Sequence, residues 1–208
     1  PAPGGWEQSW TVNGLQYGKT YYFAMKCLGG GSTPRWSGLS NLAEAYLPVN
    51  YVVQFPDAAL ESVIRSVLNK FSGDLWYSDL LTLSELDFSN HGVTDLRGLE
   101  HCERLILLHG TDNQIVDVSP LSGLSKLEGL DLVVNQIEDV SPLAGLTNLK
   151  HLHLGQKAIH DLSPLSSLTA LNVLRVHYNS ITDLTPVQGM TQLEWLDARG
   201  NEISDLTP

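Results

Sequence analysis

Leucine returns along this chain with a period of 22 residues, at Leu83, Leu105, Leu127, Leu149, Leu171 and Leu193. Three positions after each stands a second leucine, from Leu86 to Leu196. Ten positions after each stands a β-branched residue (Val93, Ile115, Ile137, Ile159, Ile181, Ile203), and twelve after each an aspartate, from Asp95 to Asp205. An unbroken register over six copies marks a repeat architecture in which stacked units share one core, because no single copy can bury its own leucines. Within a copy, Leu130–Leu132 alternates apolar with polar, as a strand with one buried face does. Asn135 falls where its amide can bond to backbone groups that the turn leaves unpaired. Ile137 points back to the core. Ser141-Pro142-Leu143 predicts an N-cap and a proline opening a short helix or 3₁₀ turn, which Gly145 and Leu146 end. The predicted architecture is an α/β solenoid, a right-handed coil with a parallel sheet on its concave face and short helices or 3₁₀ turns on its convex face.

Some copies depart from the pattern. The asparagine site holds Asn113, Asn135, Asn179 and Asn201, but His91 and Lys157 in the first and fourth copies. Gly110 and Ala198 replace the larger apolar residues of the second strand site, so a neighbour must reach over to fill the space. The first copy has Arg97-Gly98 in place of Ser-Pro. Ahead of the repeats, Leu60, Val63, Ile64, Val67, Leu68 and Phe71 define one helical face over residues 57–71, with Pro56-Asp57 as start and Ser72-Gly73 as stop. A short strand at Leu75–Tyr77 and a helical turn capped by Ser78-Asp79 follow. Residues 52–82 are therefore expected to cap the solenoid, and 83–208 to form six repeats, the sixth incomplete.

Residues 1–47 read differently. Trp10–Val12, Thr20–Leu28 and Asn41–Tyr46 are rich in aromatic and β-branched residues and predict strands. Tyr21 is placed as the corner tyrosine of a β-sandwich, closing on the loop that holds Tyr17. Three strands make a partial antiparallel β-sandwich, and residues 48–51 form the linker.

Charge sharpens this division. Residues 1–50 hold three basic and two acidic residues, about +1, whereas 51–208 hold nine basic and 21 acidic ones, about −12, which more than accounts for the net charge of −11. An acidic solenoid repels phosphate backbones and anionic lipid, which argues against nucleic-acid and membrane partners. No apolar run is long enough to cross a bilayer, and residues 1–5 do not have the character of a signal peptide. Cys27 and Cys102 show no metal-binding spacing and read as small buried apolar groups.

The cap segment "FPDAALESVIRSVL", the first-copy "GLEHCERL" and the 22-residue unit "NQIEDVSPLAGLTNLKHLHL" resemble the internalin-type leucine-rich repeats of bacterial surface proteins. This resemblance covers 52–208. The segments "GLQYGKTYYFAMK" and "RWSGLSNLAEAYL" resemble the last strands of a fibronectin type III domain, with Tyr17 where proline is usual. The resemblance implies a secreted or wall-attached protein whose concave strands bind a protein or glycan.

Three columns are expected on that face. The first runs Glu85, Leu107, Gly129, His151, Val173, Trp195. The second runs Asp87, His109, Asp131, His153, Arg175, Asp197, and the third Ser89, Thr111, Val133, Gly155, His177, Arg199. His109, Asp131 and His153 would be neighbours about 4.8 Å apart. They read either as a metal or acid/base site or as a polar ladder on a solvated face. Side chains standing parallel on a gently curved sheet converge poorly on one ion, which favours the ladder. No serine or cysteine nucleophile sits beside a histidine in these columns, so catalysis is the weaker reading. Arg175, His177, Tyr178, Trp195, Asp197 and Arg199 add an aromatic and arginine cluster typical of binding anchors. The Asp95–Asp205 ladder reads as local turn capping rather than calcium binding.

The resulting expectation is a binding or adhesion module without cofactor or metal, not an enzyme, using His109, Asp131, His153, Arg175, His177, Tyr178, Trp195, Asp197 and Arg199. A subunit of a self-assembling extracellular fibre with head-to-tail contacts is the structural alternative. A metal-dependent enzyme built on the concave His and Asp residues is the remaining one. The chain is also expected to be an excerpt whose two open ends are covered in the native assembly.

Overall fold

The computed structural model describes residues 19–24, 28–29, 35–36, 42–47, 49–156 and 158–205. The chain separates into two compact units, Pro1–Tyr51 and Val52–Pro208. In the first, β1 (Lys19–Ala24) pairs antiparallel with β4 (Leu42–Leu47), from Lys19 opposite Leu47 to Ala24 opposite Leu42. Beside this ladder in sequence, β2 (Leu28–Gly29) pairs antiparallel with β3 (Arg35–Trp36), a short strand that the residue pattern did not signal. The expected strand Trp10–Val12 and the loop holding Tyr17 lie outside the described residues.

The second unit opens with helix α1 (Ala58–Val67). Its start is chemically defined. Asp57 has extended backbone, and its Oδ1 accepts from the N–H groups of Ala59 (3.0 Å) and Leu60 (3.1 Å), two of the donors every helix N-terminus leaves unpaired. The other carboxylate oxygen accepts from Thr94 N–H (2.8 Å) and Thr94 Oγ1 (3.1 Å), so one side chain caps the helix and ties it to the first coil. Leu60, Val63 and Ile64 are buried as the helical periodicity requires. The helix stops sooner than the sequence suggested. Asn69 turns into the left-handed region (φ 52°), which leaves Phe71 74% exposed rather than on the buried face, and Val67, the last residue of α1, is itself 47% exposed.

The expected strand Leu75–Tyr77 is a single antiparallel bridge between Val52 and Trp76. The chain turns at once into α2 (Tyr77–Leu80), where Asp79 reaches back to accept from Trp76 N–H at 2.8 Å. Cap and first coil meet at Gly98, where an added Cβ would stand 2.5 Å from the Phe55 ring. That contact explains why the first copy carries Arg97-Gly98 where the others carry Ser/Thr-Pro.

Six three-residue strands follow: β5 (Glu85–Asp87), β6 (Leu107–His109), β7 (Gly129–Asp131), β8 (His151–His153), β9 (Val173–Arg175) and β10 (Trp195–Asp197). They form one parallel sheet in sequence order, each pairing with the next at an offset of 22 residues. Leu105, Leu127, Leu149 and Leu171 are fully buried in one continuous core with Leu108, Leu130, Leu152 and Leu174. A buried leucine contributes about 1.5–3 kcal/mol, and stacking brings that gain to every coil.

The far side of each coil is a 3₁₀ turn, for example Ser141–Gly145 and Ser163–Ser167. The capping group is not the serine that the Ser-Pro signal suggested. It is the aspartate two residues earlier: Asp117, Asp139, Asp161 and Asp183 accept from the N–H of Ser119, Ser141, Ser163 and Thr185 at 2.7–2.8 Å. Serine lies inside the turn, because the Asx-type bond forms one step upstream. This local bonding lowers the pKa of Asp139, Asp161 and Asp183, the Ser/Thr bonds being the largest cause.

The asparagines join neighbouring coils. Asn113, Asn135 and Asn179 are buried; their Oδ1 atoms accept from Val93, Ile115 and Ile159 N–H (2.9–3.2 Å). Each Nδ2 donates to a carbonyl of its own coil and to one of the coil before, as Asn179 does to Val176 (2.8 Å) and Leu154 (2.9 Å). The residue ahead of each asparagine site takes positive φ: Asn90, Asp112, Val134, Gln156, Tyr178 and Gly200. At Gly110 the expected filling is seen, since a Cβ there would lie 2.5 Å from the Phe88 ring.

Candidate functional site

The register of the parallel sheet fixes which side chains stand together. Leu86 through Leu174 point into the core, so the residues on either side of each point outward. The second column is aligned as expected: Asp87 pairs with His109, His109 with Asp131, Asp131 with His153, His153 with Arg175, and Arg175 with Asp197.

Asp131 is the most bonded group on this face. Its Oδ2 lies 2.9 Å from His153 Nδ1, while Oδ1 accepts from Thr111 Oγ1 (2.9 Å) and Val133 N–H (3.2 Å). Partial burial pushes its pKa up, but the bonds from His153, Val133 and Thr111 outweigh it and hold the carboxyl at about 2. Thr111 was absent from the candidate set, although its column position showed that it flanks Val133 and neighbours Asp131. His151, exposed in the first column between Gly129 and Val173, was also passed over.

A second arrangement closes the face near β10. His177 Nδ1 lies 3.5 Å from Asp197 Oδ2 but makes no hydrogen bond, and Arg199 approaches the same oxygen at 3.2 Å. The His177 ring meets Tyr178 edge to face, with centroids 5.6 Å apart. Two glycines seat these rings. A Cβ on Gly155 would stand 2.4 Å from the His177 ring, and one on Gly200 would stand 2.4 Å from that of Tyr178. The signal was visible in the columns as a glycine where the other copies carry side chains.

Trp195 (59%) and Tyr178 (57%) are exposed. Arg175 is exposed and makes no side-chain hydrogen bond or ion pair among the described residues. The structure therefore joins His153 to Asp131, and His177 and Arg199 to Asp197. It aligns His109 and Arg175 with them, and Trp195, opposite Val173 on β10, stands diagonal to Arg175. His109, Asp131 and His153 form a ladder with one His–Asp contact. Among the described residues no group of three or more His, Cys, Asp or Glu side chains is placed to hold a metal ion. Cys102 is buried, and burial, then Glu100, push its thiol up to about 12, so it stays protonated and unreactive.

Residues 125–167 and 147–189 match the family model "Leucine Rich repeats (2 copies)". The repeats of this chain are leucine-rich repeats. Among solved structures, the chain is similar to an internalin of Listeria monocytogenes, at 37% identity and a TM-score of 0.72 over 73% of this chain and 46% of that one. The functional domain of InlJ from the same organism gives 26% identity and a TM-score of 0.61, over 76% of this chain and 41% of that one. A leucine-rich-repeat protein of Leptospira interrogans gives 25% identity and 0.58, over 63% of this chain and 35% of that one. The chain thus spans less than half the length of each. Comparison with curated proteins gives no significant match. No helix among the described residues is long and apolar enough to cross a membrane.

Proposed function

We propose that this leucine-rich-repeat domain is a recognition module of an extracellular or surface-attached bacterial protein, and that it binds a protein ligand on its concave sheet. The observation that carries this reading is an exposed Arg175, free of ion pairs among the described residues and diagonal to Trp195 of the adjoining strand, on an open sheet face. Tryptophan, tyrosine and arginine dominate binding hot spots because each brings large contact area and a directional donor. The internalin-like neighbours support the module and the bacterial setting. Domain limits follow the same reading: a fibronectin type III-like β unit over 1–47, a cap over 52–82 and repeats from 83 onward.

A protein ligand is favoured over a neutral glycan. Sugar recognition needs free carboxylate or amide acceptors beside the aromatic ring. Asp131 and Asp197 are already engaged by His153, Thr111, His177 and Arg199. Catalysis is disfavoured on chemistry: His109, His151, His153 and His177 have aspartate, arginine, glycine and apolar neighbours in the sheet, and no nucleophile.

The test is capture of partners from extracellular and cell-surface fractions by the chain, by Trp195→Ala and Arg175→Ala, and by convex-side variants such as Gln188→Ala. The concave variants are expected to lose most of the captured partner while the convex one keeps it. Loss with the convex variant alone defeats the proposal.

A further inference from the structure

The concave face has an unusual cation inventory. Its three columns hold no lysine, two arginines (Arg175, Arg199) and four of the chain's seven histidines (His109, His151, His153, His177). Histidine is the side chain whose charge ordinarily changes between about pH 5 and 8. A face whose cations are mostly histidine therefore changes sign with modest acidification, whereas a lysine face would not. We infer that the sheet from β6 to β10 is an acid-gated docking surface for an acidic polypeptide, holding it when the histidines are protonated and releasing it when they are neutral. The inference rests on the concave-face reading above and gives that site a ligand chemistry and a control.

The charges facing each histidine define the gate. His109 stands between Asp87 on β5 and Asp131 on β7. His153 contacts Asp131 and stands beside Arg175 on β9. His151, between Gly129 and Val173, faces no charge in its column. His177 faces Asp197, with Arg199 on the same carboxylate. With the histidines neutral, Asp131 and Asp197 offset Arg175 and Arg199, and the remaining acidic excess of 51–208 repels an acidic partner. Protonation adds up to four positive charges to the same surface and leaves the two aspartates paired.

Arg175, unpaired among the described residues and diagonal to Trp195, is the fixed anchor. A guanidinium takes a carboxylate in a two-bond fork, and the indole supplies apolar contact for the neighbouring side chain. From His109 to His153 the second column alternates in sign at steps of about 4.8 Å, with Arg175 as a further cation next to His153, and this suits a peptide whose carboxylates are spaced by neutral residues. The same pattern opposes a phosphodiester strand, which presents a charge at every step.

The test uses the full chain and a fluorescent peptide of eight Glu-Ala repeats, with an oligothymidylate as the competing polyanion, at fixed ionic strength. Anisotropy titration is expected to show about tenfold tighter peptide binding near pH 5.5 than near pH 8, each exposed charge pair contributing only a small factor. Most of the gain should be lost in a His109→Gln/His151→Gln/His153→Gln variant, which keeps only His177 of the gate, and it should persist in His101→Gln/His160→Gln, which removes histidines elsewhere. In the unsubstituted chain, NMR titration of the concave histidines should move to higher pH when the peptide is added, as linkage requires; this readout does not depend on any variant folding. Equal binding at both pH values, an acid gain that mostly survives in the triple variant, or tighter binding of the oligothymidylate overturns the inference. If the peptide fails at every pH while partner capture still depends on Trp195, the gate is wrong and the concave-face reading stands. If the gain mostly survives in the triple variant and capture ignores Trp195, both are wrong.

Discussion

Replacing Asn179 by alanine strips two buried backbone groups of their partners. Ile159 N–H donates to Asn179 Oδ1 at 3.2 Å, and Leu154 C=O accepts from Nδ2 at 2.9 Å; both residues are fully buried. The other two partners of Asn179 are spared: Val176 C=O keeps a bond from Asn201 Nδ2 at 2.8 Å, and His177 C=O, 3.4 Å from Asn179 Nδ2, keeps one from Gln156 N–H at 2.8 Å. An unpaired buried polar group costs about 1–3 kcal/mol, so the loss should be about 3–4 kcal/mol. A neighbouring asparagine allows a sharper test. Asn201 Nδ2 donates to the same Val176 C=O at 2.8 Å, and its Oδ1 accepts from Ile181 N–H at 3.0 Å. Asn201→Ala alone should cost about 1–2 kcal/mol, because Val176 C=O keeps its bond from Asn179. The double variant leaves Val176 C=O bare and should lose about 1–2 kcal/mol more than the sum of the singles. Urea denaturation followed by far-ultraviolet circular dichroism measures each term. An Asn179→Ala loss below about 1 kcal/mol, or strict additivity with Asn201→Ala, would refute the ladder as the device that joins coil to coil.

Three further perturbations probe separate features. Val134 holds φ at 54°, where a β-branched residue is strained; Val134→Asn should raise stability by about 1 kcal/mol and Tm by a few degrees, and calorimetry showing a lower Tm would contradict that account. Gly155→Ala should cost about 1–3 kcal/mol because the His177 ring occupies the space a Cβ needs; the cost should largely vanish with His177→Ala, and an equal cost in that background would remove the ring as its cause. Asp131 has a folded pKa of about 2, below the ordinary 3.8 of an aspartate, so its contribution is complete above about pH 4 and is lost as pH falls through about 2. Asp131→Asn should thus lower stability by about 1 kcal/mol at neutral pH, allowing for its partial exposure, with the difference from the parent chain closing between pH 4 and 2; a difference independent of pH over that range would rule out the assigned linkage.

The solenoid was legible because each coil repeats the same burial demand. Leu83 to Leu193 and their partners state it six times in one register, and the aligned columns follow from that register alone. Features set by a single local competition were not legible. Ser141 was expected to cap the 3₁₀ turn but lies inside it as its first residue, whereas Asp139 bonds Ser141 N–H as the aspartate ladder had indicated. Phe71 continued a helical stripe in sequence but fell outside α1, because Asn69 ended the helix in the left-handed region. On the concave face, the columns named the neighbours of His153 and His177. Which contacts close depended on rotamers, on Thr111 completing the shell of Asp131, and on glycines 155 and 200 leaving seats for rings from adjoining coils. The short strand Arg35–Trp36 lies too close to glycine and proline positions for periodicity to mark it.

Hydroxyl-radical footprinting of the chain, alone and bound to its captured partner, tests the concave-face account most directly, since tryptophan, tyrosine and histidine side chains report strongly. Binding on the sheet predicts protection of Trp195, Tyr178, His151 and His153, with Pro186 and the convex turns unchanged. Protection confined to the 3₁₀ turns, with Trp195 and Tyr178 as reactive as in the free chain, would contradict it.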